Sequence, residues 1–443
     1  MSAIVATTTE QDKVRELQRA LYRAAKADPG RRFHALYDKV YRRDVLERAW
    51  GQVRANRGAA GIDRITLSQV EQYGIDRLLD ELAADLQAER YRPLPARRVF
   101  IPKPGSKEQR PLSIPAVRDR IVQAALKTAI EPIFEADFLE CSFGFRPRRS
   151  AHDALQVLVD EAWRGRRWVV ETDIASCFEA IPHDRLVAAV EERICDRKLL
   201  KLLRALLRAG VMEQGAVRRN VTGTPQGGVV SPLLCNVYLH RLDRVWQTHG
   251  CGALVRYADD LLVMCRSKGE AERALAALKA VLAELGLELK EAKTRIVHLR
   301  EGGEGLDFLG FHHRWVRARG PRVQHVTFLA RWPSRQAMQR ARDRVRELTA
   351  RERLLLPVED VVQDLNRFLR GWAGYFRYGN SARHFNRLEY QAVNRLVLFM
   401  AHRHRRSRAY GRWAVLYRSP GRLGLITLAG TVVAPRPGRA WRG

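Results

Sequence analysis

The sequence predicts an α/β region up to about residue 320, followed by an all-α region. Two short apolar runs predict strands of a buried sheet, Arg167–Asp173 and Leu254–Cys265, and each carries aspartate where the run ends or bends. A helical pattern, Glu270–Leu285, follows the second run and stops before Gly286, a residue typical of helix C-termini. Farther along, Arg331–Tyr390 repeats apolar residues at helical spacing, which predicts helices.

The other elements follow from local patterns. Helices are predicted over residues 10–50 and Leu67–Glu89, with the glycine-rich loop Asn56–Asp63 between them. Val99–Pro115 predicts two strands joined by a basic turn, and Val117–Phe134 a helix that ends near Pro132. The remaining predictions are a basic loop at Ser142–Asp153 that opens a helix near Ser150, a helix at Arg185–Glu192, a loop at Gly223–Gly228, a helix at Ser231–Leu242 and an apolar run at Leu306–Phe311.

The charge balance restricts the class of partner. The 443 residues contain 79 Lys and Arg against 49 Asp and Glu, and this formal net charge of +30 favours a polyanion such as nucleic acid. A basic protein without such a partner and a binder of membrane surfaces remain alternatives. Because no apolar run approaches a membrane span and Met1–Gly30 lacks a signal-peptide core, we expect a cytoplasmic protein with no membrane partner. The six scattered cysteines exclude the usual zinc-ligand spacing and predict reduced thiols.

Three aspartates form the candidate catalytic group. Asp259 and Asp260 are adjacent at the bend of a predicted hairpin, and Asp173 closes another strand. Neighbouring carboxylates repel each other, so a buried set needs a cation to stay ionised, and all-oxygen ligands favour Mg²⁺. Because adjacent side chains point apart in extended backbone, we expect Asp259 to face Asp173. The alternative is a solvated turn in which Asp-Asp has no function.

Several sequence blocks resemble one protein family in the same order. Tyr257-Ala-Asp-Asp260, preceded by Gly223–Leu234, resembles the reverse transcriptases of the group II intron maturase family, and the similarity covers about residues 45 to 400. The resemblance implies an α/β right-hand polymerase (fingers and palm) followed by an all-α thumb or maturase domain. The implied domains are an N-terminal extension with the start of the fingers (1–90), the fingers and palm (91–320), the helical thumb (321–400) and a basic tail that could bind DNA (401–443).

The resemblance also implies the chemistry. Asp173, Ile174, Asp259 and Asp260 are expected to bind Mg²⁺, and the three aspartates to catalyse RNA-directed DNA synthesis. In that reaction two ions about 3.5–4 Å apart stabilise the attacking 3′-hydroxyl and the leaving pyrophosphate. The family often ends in a zinc-containing nuclease with paired cysteines. This sequence has no such cysteines up to Gly443, so it resembles the endonuclease-lacking lineage.

Five residues are expected, by the same resemblance, to bind the incoming nucleotide. Lys103 and Arg110 would clamp the triphosphate, and Gln226 would contact the sugar or a phosphate. Phe178 would lie under the sugar and exclude a 2′-hydroxyl, and Lys293 would lie near the departing pyrophosphate. The alternatives are a solvated basic turn for the two cations, a core phenylalanine at Phe178, and a lysine that holds a neighbouring carboxylate at Lys293.

The implied macromolecular partners are group II intron RNA, an RNA template with a DNA primer, and target DNA. Six arginines are expected to contact their phosphates, namely Arg146, Arg148, Arg149, Arg367, Arg370 and Arg377. A purely structural role is the alternative for Arg146. Because the family binds its own intron RNA, the resemblance also implies a role in assisting splicing and mobility.

Three rival functions remain open at this stage. The first is an RNA-binding splicing cofactor whose polymerase is idle, and the second is a reverse transcriptase not linked to an intron, for instance a defence-related one. The third, a basic helical DNA-binding regulator, would not need three carboxylates at strand ends.

Overall fold

The computed structural model describes residues 10–102, 109–213, 216–218, 222–223, 227–318, 325–418 and 421–435. These residues form two compact units. The first unit consists of the chain up to Ser150 with Thr172–Leu262 and Glu272–Thr294, and the second of Ala151–Glu171, Val263–Ala271 and the chain from Arg295 onward. None of the described helices combines the length and the apolar character needed to cross a bilayer.

Among the described residues, helices outnumber strands up to residue 163, and short strands are interspersed among helices from there to residue 284. Up to residue 163 the elements are α1 (Glu10–Ala27), α2 (Tyr37–Val40), α3 (Arg43–Ala55), α4 (Leu67–Tyr73), α5 (Ile75–Gln87), β1 (Ala96–Pro102), β2 (Gln109–Ile114), α6 (Val117–Glu135) and α7 (Ala151–Trp163). From there to residue 284 they are β3 (Trp168–Asp173), α8 (Cys177–Ala180), α9 (His183–Glu191), α10 (Arg197–Arg208), β4 (Val211–Glu213), β5 (Ala216–Arg218), α11 (Ser231–His249), β6 (Ala253–Tyr257), β7 (Asp260–Cys265) and α12 (Lys268–Glu284).

The C-terminal part is mainly helical. Its elements are β8 (Arg295–His298), β9 (Leu306–Phe308), β10 (Phe311–Arg317), β11 (Thr327–Pro333), α13 (Arg335–Leu348), α14 (Val358–Phe376), α15 (Ala382–Arg403) and α16 (Arg408–Leu416). Short 3₁₀ turns occupy Glu291–Lys293, Arg351–Arg353 and Gly421–Gly424. The chain therefore combines a mixed α/β N-terminal part with a helical C-terminal region.

Helix α6 is the centre of the helical core in the first unit. Residues on every side of it, including Ile121, Leu126 and Ile130, are completely buried, as expected for an interior helix. Helices α1, α2 and α3 pack against it. The prediction that this helix ends near Pro132 is wrong, because α6 continues to Glu135 with the proline inside it. Burial of the last turn keeps that segment helical despite the missing N–H.

Two further predictions concern the N-terminal 114 residues. The segment Leu67–Glu89 is helical as predicted but is divided into α4 and α5 at Gly74, whose φ of 102° is accessible mainly to glycine. Strands β1 and β2 form the predicted antiparallel hairpin, with Ile101 opposite Arg110, in a sheet of order β2-β1-β4-β5. The turn of that hairpin, which includes Lys103, lies outside the described residues.

The three aspartates lie at strand ends or in the adjoining turn of a second sheet, whose strand order is β6-β7-β3-β8. The predicted hairpin is confirmed, because β6 ends at Tyr257 and β7 begins at Asp260. Strand β3 ends at Asp173, also as predicted, and pairs antiparallel with β8. Leu261 and Leu262 point to opposite faces of β7 and are both fully buried, so this strand is covered on both sides.

The second unit is built around aromatic side chains. Its sheet has the order β11-β10-β9, and Phe311 of β10 lies against Tyr375 and Phe376 of α14, with ring centroids 5.5 and 4.9 Å apart. Leu369 and Trp372 of α14 are buried as well. The apolar residues that recur at helical spacing in this part of the sequence therefore form the buried face of α14.

One expectation for the C-terminal part needs correction. Helices do not begin at Arg331, because Thr327–Pro333 is strand β11, paired antiparallel with β10. Arg331 is fully buried in that strand, and its Nε donates to the carbonyl oxygen of Tyr378 at 2.8 Å. Within the predicted basic tail, Arg408–Leu416 forms α16, whose N-terminus is capped by Ser407.

Candidate active site

The ends of β3 and of the β6–β7 hairpin bring the predicted aspartates together. The N–H of Ile174, which follows β3, donates to the carbonyl oxygen of Asp259 at 3.2 Å. The hairpin turns at Ala258, whose φ of 57° lies in the left-handed region that residues with a side chain rarely adopt. Burial, followed by repulsion from Asp173, raises the pKa of Asp259 above its ordinary value.

Lys293 supplies a positive charge to this cluster. Its Nζ donates to Asp173 Oδ2 at 2.5 Å, and the N–H of Lys290 donates to the Asp173 carbonyl oxygen at 2.7 Å. Burial lowers the pKa of Lys293, but the hydrogen bond to Asp173 and the attraction of all three aspartates outweigh it, so that the pKa lies above its ordinary value. Lys293 is therefore a protonated ammonium that holds a carboxylate, which is the alternative that sequence reasoning left open.

The cluster suits a hard cation with oxygen ligands. Asp173 Oδ1 is buried without a hydrogen-bond partner, so one of its oxygens is available to a metal ion. Ile174 could contribute only its backbone carbonyl. Among the described residues no group of three or more His, Cys, Asp or Glu is assembled to hold a metal unaided. This arrangement fits Mg²⁺, which is commonly bound by one or two carboxylates and completes its shell with water and substrate phosphates.

A buried arginine that sequence reasoning missed holds the aspartate hairpin in place. Arg256 of β6 and Asp243 of α11 are both fully buried and form two hydrogen bonds, at 2.8 and 2.6 Å. The same guanidinium donates to Asn236 Oδ1 at 2.9 Å, to Ser142 Oγ at 2.7 Å and to the Ala258 carbonyl oxygen at 3.3 Å. The available signal was a single charged residue inside the apolar run Leu254–Tyr257.

The loop that begins at Ser142 is locked against the same hairpin. The N–H of Phe143 donates to the Arg256 carbonyl oxygen at 2.9 Å, and Asn236 Nδ2 donates to the Gly144 carbonyl oxygen at 2.8 Å. A Cβ added to Gly144 would lie 2.5 Å from the backbone nitrogen of Ala258, so only glycine fits there. The strained turn that carries Asp259 is thus supported by close backbone contact.

The residues expected to bind a nucleotide are described only in part. Lys103 and Gln226 lie outside the described residues. Arg110 lies exposed on β2, and its charge lowers the pKa of Asp259, which opposes the upward effect of burial. Phe178 lies on α8 just after Ser176, whose φ is 45°, and is buried. The structure thus brings Lys293 into the aspartate cluster and Arg110 within its electrostatic range.

Glycines of the loop before α11 permit close approach to the protein backbone. A Cβ on Gly223 would lie 2.8 Å from the Cα of Glu179, and one on Gly227 would lie 2.5 Å from the Ser113 carbonyl oxygen. Both glycines also have positive φ, of 91° and 109°. Contacts with α8 and β2 therefore require glycine at both positions.

The three arginines of the 142–153 loop have different environments. Arg146 is buried, with its guanidinium bonded to Glu135 at 2.7 Å and to the carbonyl oxygens of Leu139 and Ser142 at 2.6 and 2.8 Å. The structure favours the structural alternative for this residue, since its donors are already occupied. Arg149 pairs with the exposed carboxylate of Glu140, and Arg148 is exposed to solvent.

The three arginines of the α14 region are all exposed. Arg367 pairs with Asp364 at 3.0 Å, and Arg377 lies over the ring of Tyr378, 5.4 Å from its centroid. An exposed ion pair contributes little to stability. These side chains can therefore exchange their present neighbours for a phosphate group.

Comparisons with known proteins place these features in context. Residues 101–313 match the family described as reverse transcriptase (RNA-dependent DNA polymerase), and residues 338–418 match the group II intron, maturase-specific domain. The chain is 35% identical over 346 residues to Protein YkfC of Escherichia coli, an alignment that covers 69% of this chain and 89% of YkfC.

Two other relatives are intron proteins by name. The chain is 38% identical over 214 residues to the group II intron-encoded protein LtrA of Lactococcus lactis subsp. cremoris, covering 48% of this chain and 35% of LtrA. It is 25% identical over 251 residues to Nuclear intron maturase 2, mitochondrial, of Arabidopsis thaliana, covering 47% of this chain and 32% of that protein. The chain thus spans about a third of the length of these two relatives.

The raised pKa of Asp259 predicts a stability change with a definite sign. The folded state binds this proton more tightly than the unfolded state does, so the ionised carboxylate opposes folding at pH values above its raised pKa. We expect Asp259→Asn to raise the melting temperature at pH 7 in EDTA by about 2 °C, and the gain to vanish as the pH falls below the ordinary pKa of aspartate. Thermal melts of both proteins from about pH 3 to pH 7, which extends below the ordinary pKa of aspartate, measure this difference.

The control for this experiment is Glu352→Gln, which removes an exposed carboxylate and should leave the melting temperature unchanged. A lower melting temperature for Asp259→Asn than for the wild type at pH 7 would contradict the prediction. Adding Mg²⁺ should reverse the order of the two proteins, because only the wild type retains the full set of carboxylates.

The buried ion pair between Arg256 and Asp243 predicts that removing one partner alone costs more stability than removing both partners. Arg256→Met leaves the fully buried Asp243 without its partner and should lower the free energy of unfolding by about 4 kcal/mol. The double variant Arg256→Met, Asp243→Leu removes both charges and should recover most of that loss, as denaturant unfolding would measure. Arg344→Met, which breaks the exposed pair with Glu347, serves as the control and should cost less than about 1 kcal/mol. Equal losses in the single and double variants would contradict the prediction.

Proposed function

Because this chain belongs to the family of group II intron-encoded reverse transcriptases and maturases, we propose that it copies intron RNA into DNA and also binds that RNA to assist its splicing and mobility. The reverse transcriptase domain makes the chain an RNA-directed DNA polymerase. The maturase-specific domain indicates intron RNA as a binding partner. The template, the DNA primer and the target DNA are part of the proposal.

The observation that carries the proposal is the aspartate cluster. Asp173 and Asp259 are close enough for Asp173 to raise the pKa of Asp259, and Lys293 neutralises part of their charge. Mg²⁺ held by Asp173, Asp259, Asp260 and the carbonyl of Ile174 would stabilise charge on the attacking and leaving oxygens. The reaction is attack of the primer 3′-hydroxyl on the α-phosphate of a deoxynucleotide.

The chain's own residues have distinct tasks in this proposal. Lys293 orients Asp173 and presents an ammonium that can donate a proton to the departing pyrophosphate. Arg110, with Lys103, binds the triphosphate, since a guanidinium offers the planar fork that suits phosphate oxygens. Phe178 lies under the sugar and leaves no room for a 2′-hydroxyl, and Gln226 contacts the sugar or a phosphate.

The proposed arrangement is that of a right hand. Residues 1–90 form the N-terminal extension and the start of the fingers, 91–320 the fingers and palm, 321–400 the thumb, and 401–443 a basic tail available to DNA. Four exposed arginines and the half-buried Arg149 would contact the nucleic-acid backbone, the exposed ones being Arg148, Arg367, Arg370 and Arg377. Arg146 would act indirectly by fixing its loop through Glu135. The net charge of +30 supports strong, salt-dependent binding of this kind.

Primer extension tests the polymerase. With a poly-rA template, an oligo-dT primer, Mg²⁺ and dTTP, we expect the wild type to extend the primer and Asp259→Asn to be slower by about a thousandfold or more, the scale of losing a charge-stabilising group at a reacting centre. Glu352→Gln should retain full activity. If a folded wild type bound RNA but did not extend the primer, the splicing cofactor with an idle polymerase would be the better account.

Nucleotide selection tests the task assigned to Phe178. Phe178→Ala should raise the ratio of kcat/KM for UTP to that for dTTP by at least about tenfold, because a missing ring leaves space for the 2′-hydroxyl. The measurement is single-nucleotide extension with each substrate in turn. Phe178→Tyr, which keeps the bulk of the ring, is the matched variant and should retain discrimination. Unchanged discrimination in an active Phe178→Ala enzyme would leave Phe178 as a core residue only.

A further inference from the structure

Helices α15 and α16 of the second unit enclose a cleft with a volume of about 740 Å³. Its apolar lining is provided by Val393 and Val397 of α15 and by Ala409 and Leu416 of α16. The two helices approach closely at Gly411, where an added Cβ would lie 2.2 Å from the carbonyl oxygen of Val397. The cleft is therefore held by direct backbone contact, and its volume lies in the range of small-ligand sites.

The rim of the cleft carries groups that nucleotides use. Tyr390 is 71% exposed, although it is a large aromatic residue on a regular helix. Asn386 and Asn394 offer amides that can both donate and accept, and Arg408 and Arg412 bring two cations. Arg408 Nη2 lies 3.5 Å from Asn394 Oδ1, so the guanidinium and the amide meet at the same edge.

The acidic residue of the lining does not oppose an anion. Glu389 is bonded to Arg422 and accepts hydrogen bonds from the N–H of Leu428 at 2.7 Å and the hydroxyl of Thr427 at 3.1 Å. Its charge is thus compensated within the protein. Arg408 and Arg412 then give the cleft a net positive field.

We propose that this α15/α16 cleft binds an unpaired nucleotide of the RNA, with the base against Tyr390 and the apolar lining and a phosphate against Arg412. The inference rests on the proposed function, which supplies RNA as the partner. A duplex keeps its bases stacked and presents mainly phosphates and the 2′-hydroxyl edge, so it cannot use the apolar lining. An unpaired base has a free face for stacking and free edges for the two asparagine amides.

Binding of short RNAs to the full chain tests the cleft. The probe is fluorescein-labelled octauridylate, which has no secondary structure, and the comparison is a 12-base-pair RNA duplex, both measured by fluorescence anisotropy without nucleotides or primer. Tyr390→Ala should weaken octauridylate binding about tenfold, the scale of losing one aromatic stacking partner. Tyr390→Phe should bind as the wild type does. Duplex affinity should be unchanged in both variants.

Matched control variants separate the effect of the cleft from the effects of losing an exposed aromatic ring or a positive charge elsewhere. Tyr417, the residue directly after α16, is 74% exposed but does not line the cleft. Tyr417→Ala should therefore bind octauridylate normally. Arg412→Gln should weaken octauridylate binding severalfold, whereas Arg418→Gln, which changes the same charge outside the lining, should have less than half that effect on the binding free energy. A single 4-thiouridine in the probe should crosslink to residues of α15 or α16 in the wild type.

The outcomes decide the proposal independently of polymerase activity. Equal effects of Tyr390→Ala and Tyr417→Ala, or a loss of duplex binding as large as that of octauridylate, would overturn it. If octathymidylate bound as tightly as octauridylate, and its binding depended on Tyr390 to the same extent, the assignment to RNA would be overturned. If a poly-glutamate peptide displaced the probe at a lower concentration than RNA does, a protein partner would replace RNA and the proposal would fail. Because octauridylate binding is measured without nucleotides or primer, a wild type that lacks extension activity but binds the probe in a Tyr390-dependent way would count against the proposed function and not against the cleft.

Discussion

The buried ion pair between Arg256 and Asp243 is the interaction on which the rest of the site depends. Removing two charges from water costs several kcal/mol per ion, and this cost is recovered only when every donor finds a partner. Here the guanidinium also reaches Asn236, Ser142 and the Ala258 carbonyl oxygen. One side chain therefore connects β6, α11 and the 142–153 loop, and it fixes the turn at which the chain adopts the left-handed conformation before the aspartate pair.

This rigid support explains how a repulsive cluster can persist in the folded chain. Burial and Asp173 both raise the pKa of Asp259, so the ionised pair works against folding until a cation is present. Lys293 relieves the repulsion at one oxygen of Asp173 and leaves the other buried without a partner. Lys293 thus neutralises only part of the negative charge of the aspartate cluster, and the remaining negative charge favours binding of a divalent ion. The hydrogen bonds of Arg256 hold the hairpin in place despite this repulsion.

The sequence was sufficient for features that depend on local pattern. The strand ends at Asp173 and at the Asp259–Asp260 turn, and the buried aromatic face of α14, all follow from short-range periodicity. The role of Arg256 did not, because its partners lie 13, 20 and 114 residues away. Only residues 331–333 of β11 fall within the predicted helical segment, because Arg331, a buried charge in a strand, disguises the alternation of side chains that pairing with β10 requires. Burial in the tertiary structure likewise keeps α6 helical beyond Pro132.

The distribution of arginines shows why net charge alone could not locate the nucleic-acid surface. Arg146, Arg256 and Arg331 are buried and bonded to protein oxygens, so their charge serves the fold. Arg412, by contrast, is exposed beside an apolar lining and an aromatic ring, where a guanidinium can meet a phosphate while the lining receives a base. An exposed cation next to exposed apolar surface is therefore more informative than a count of charges, since a solvated basic face has no need of the apolar surface.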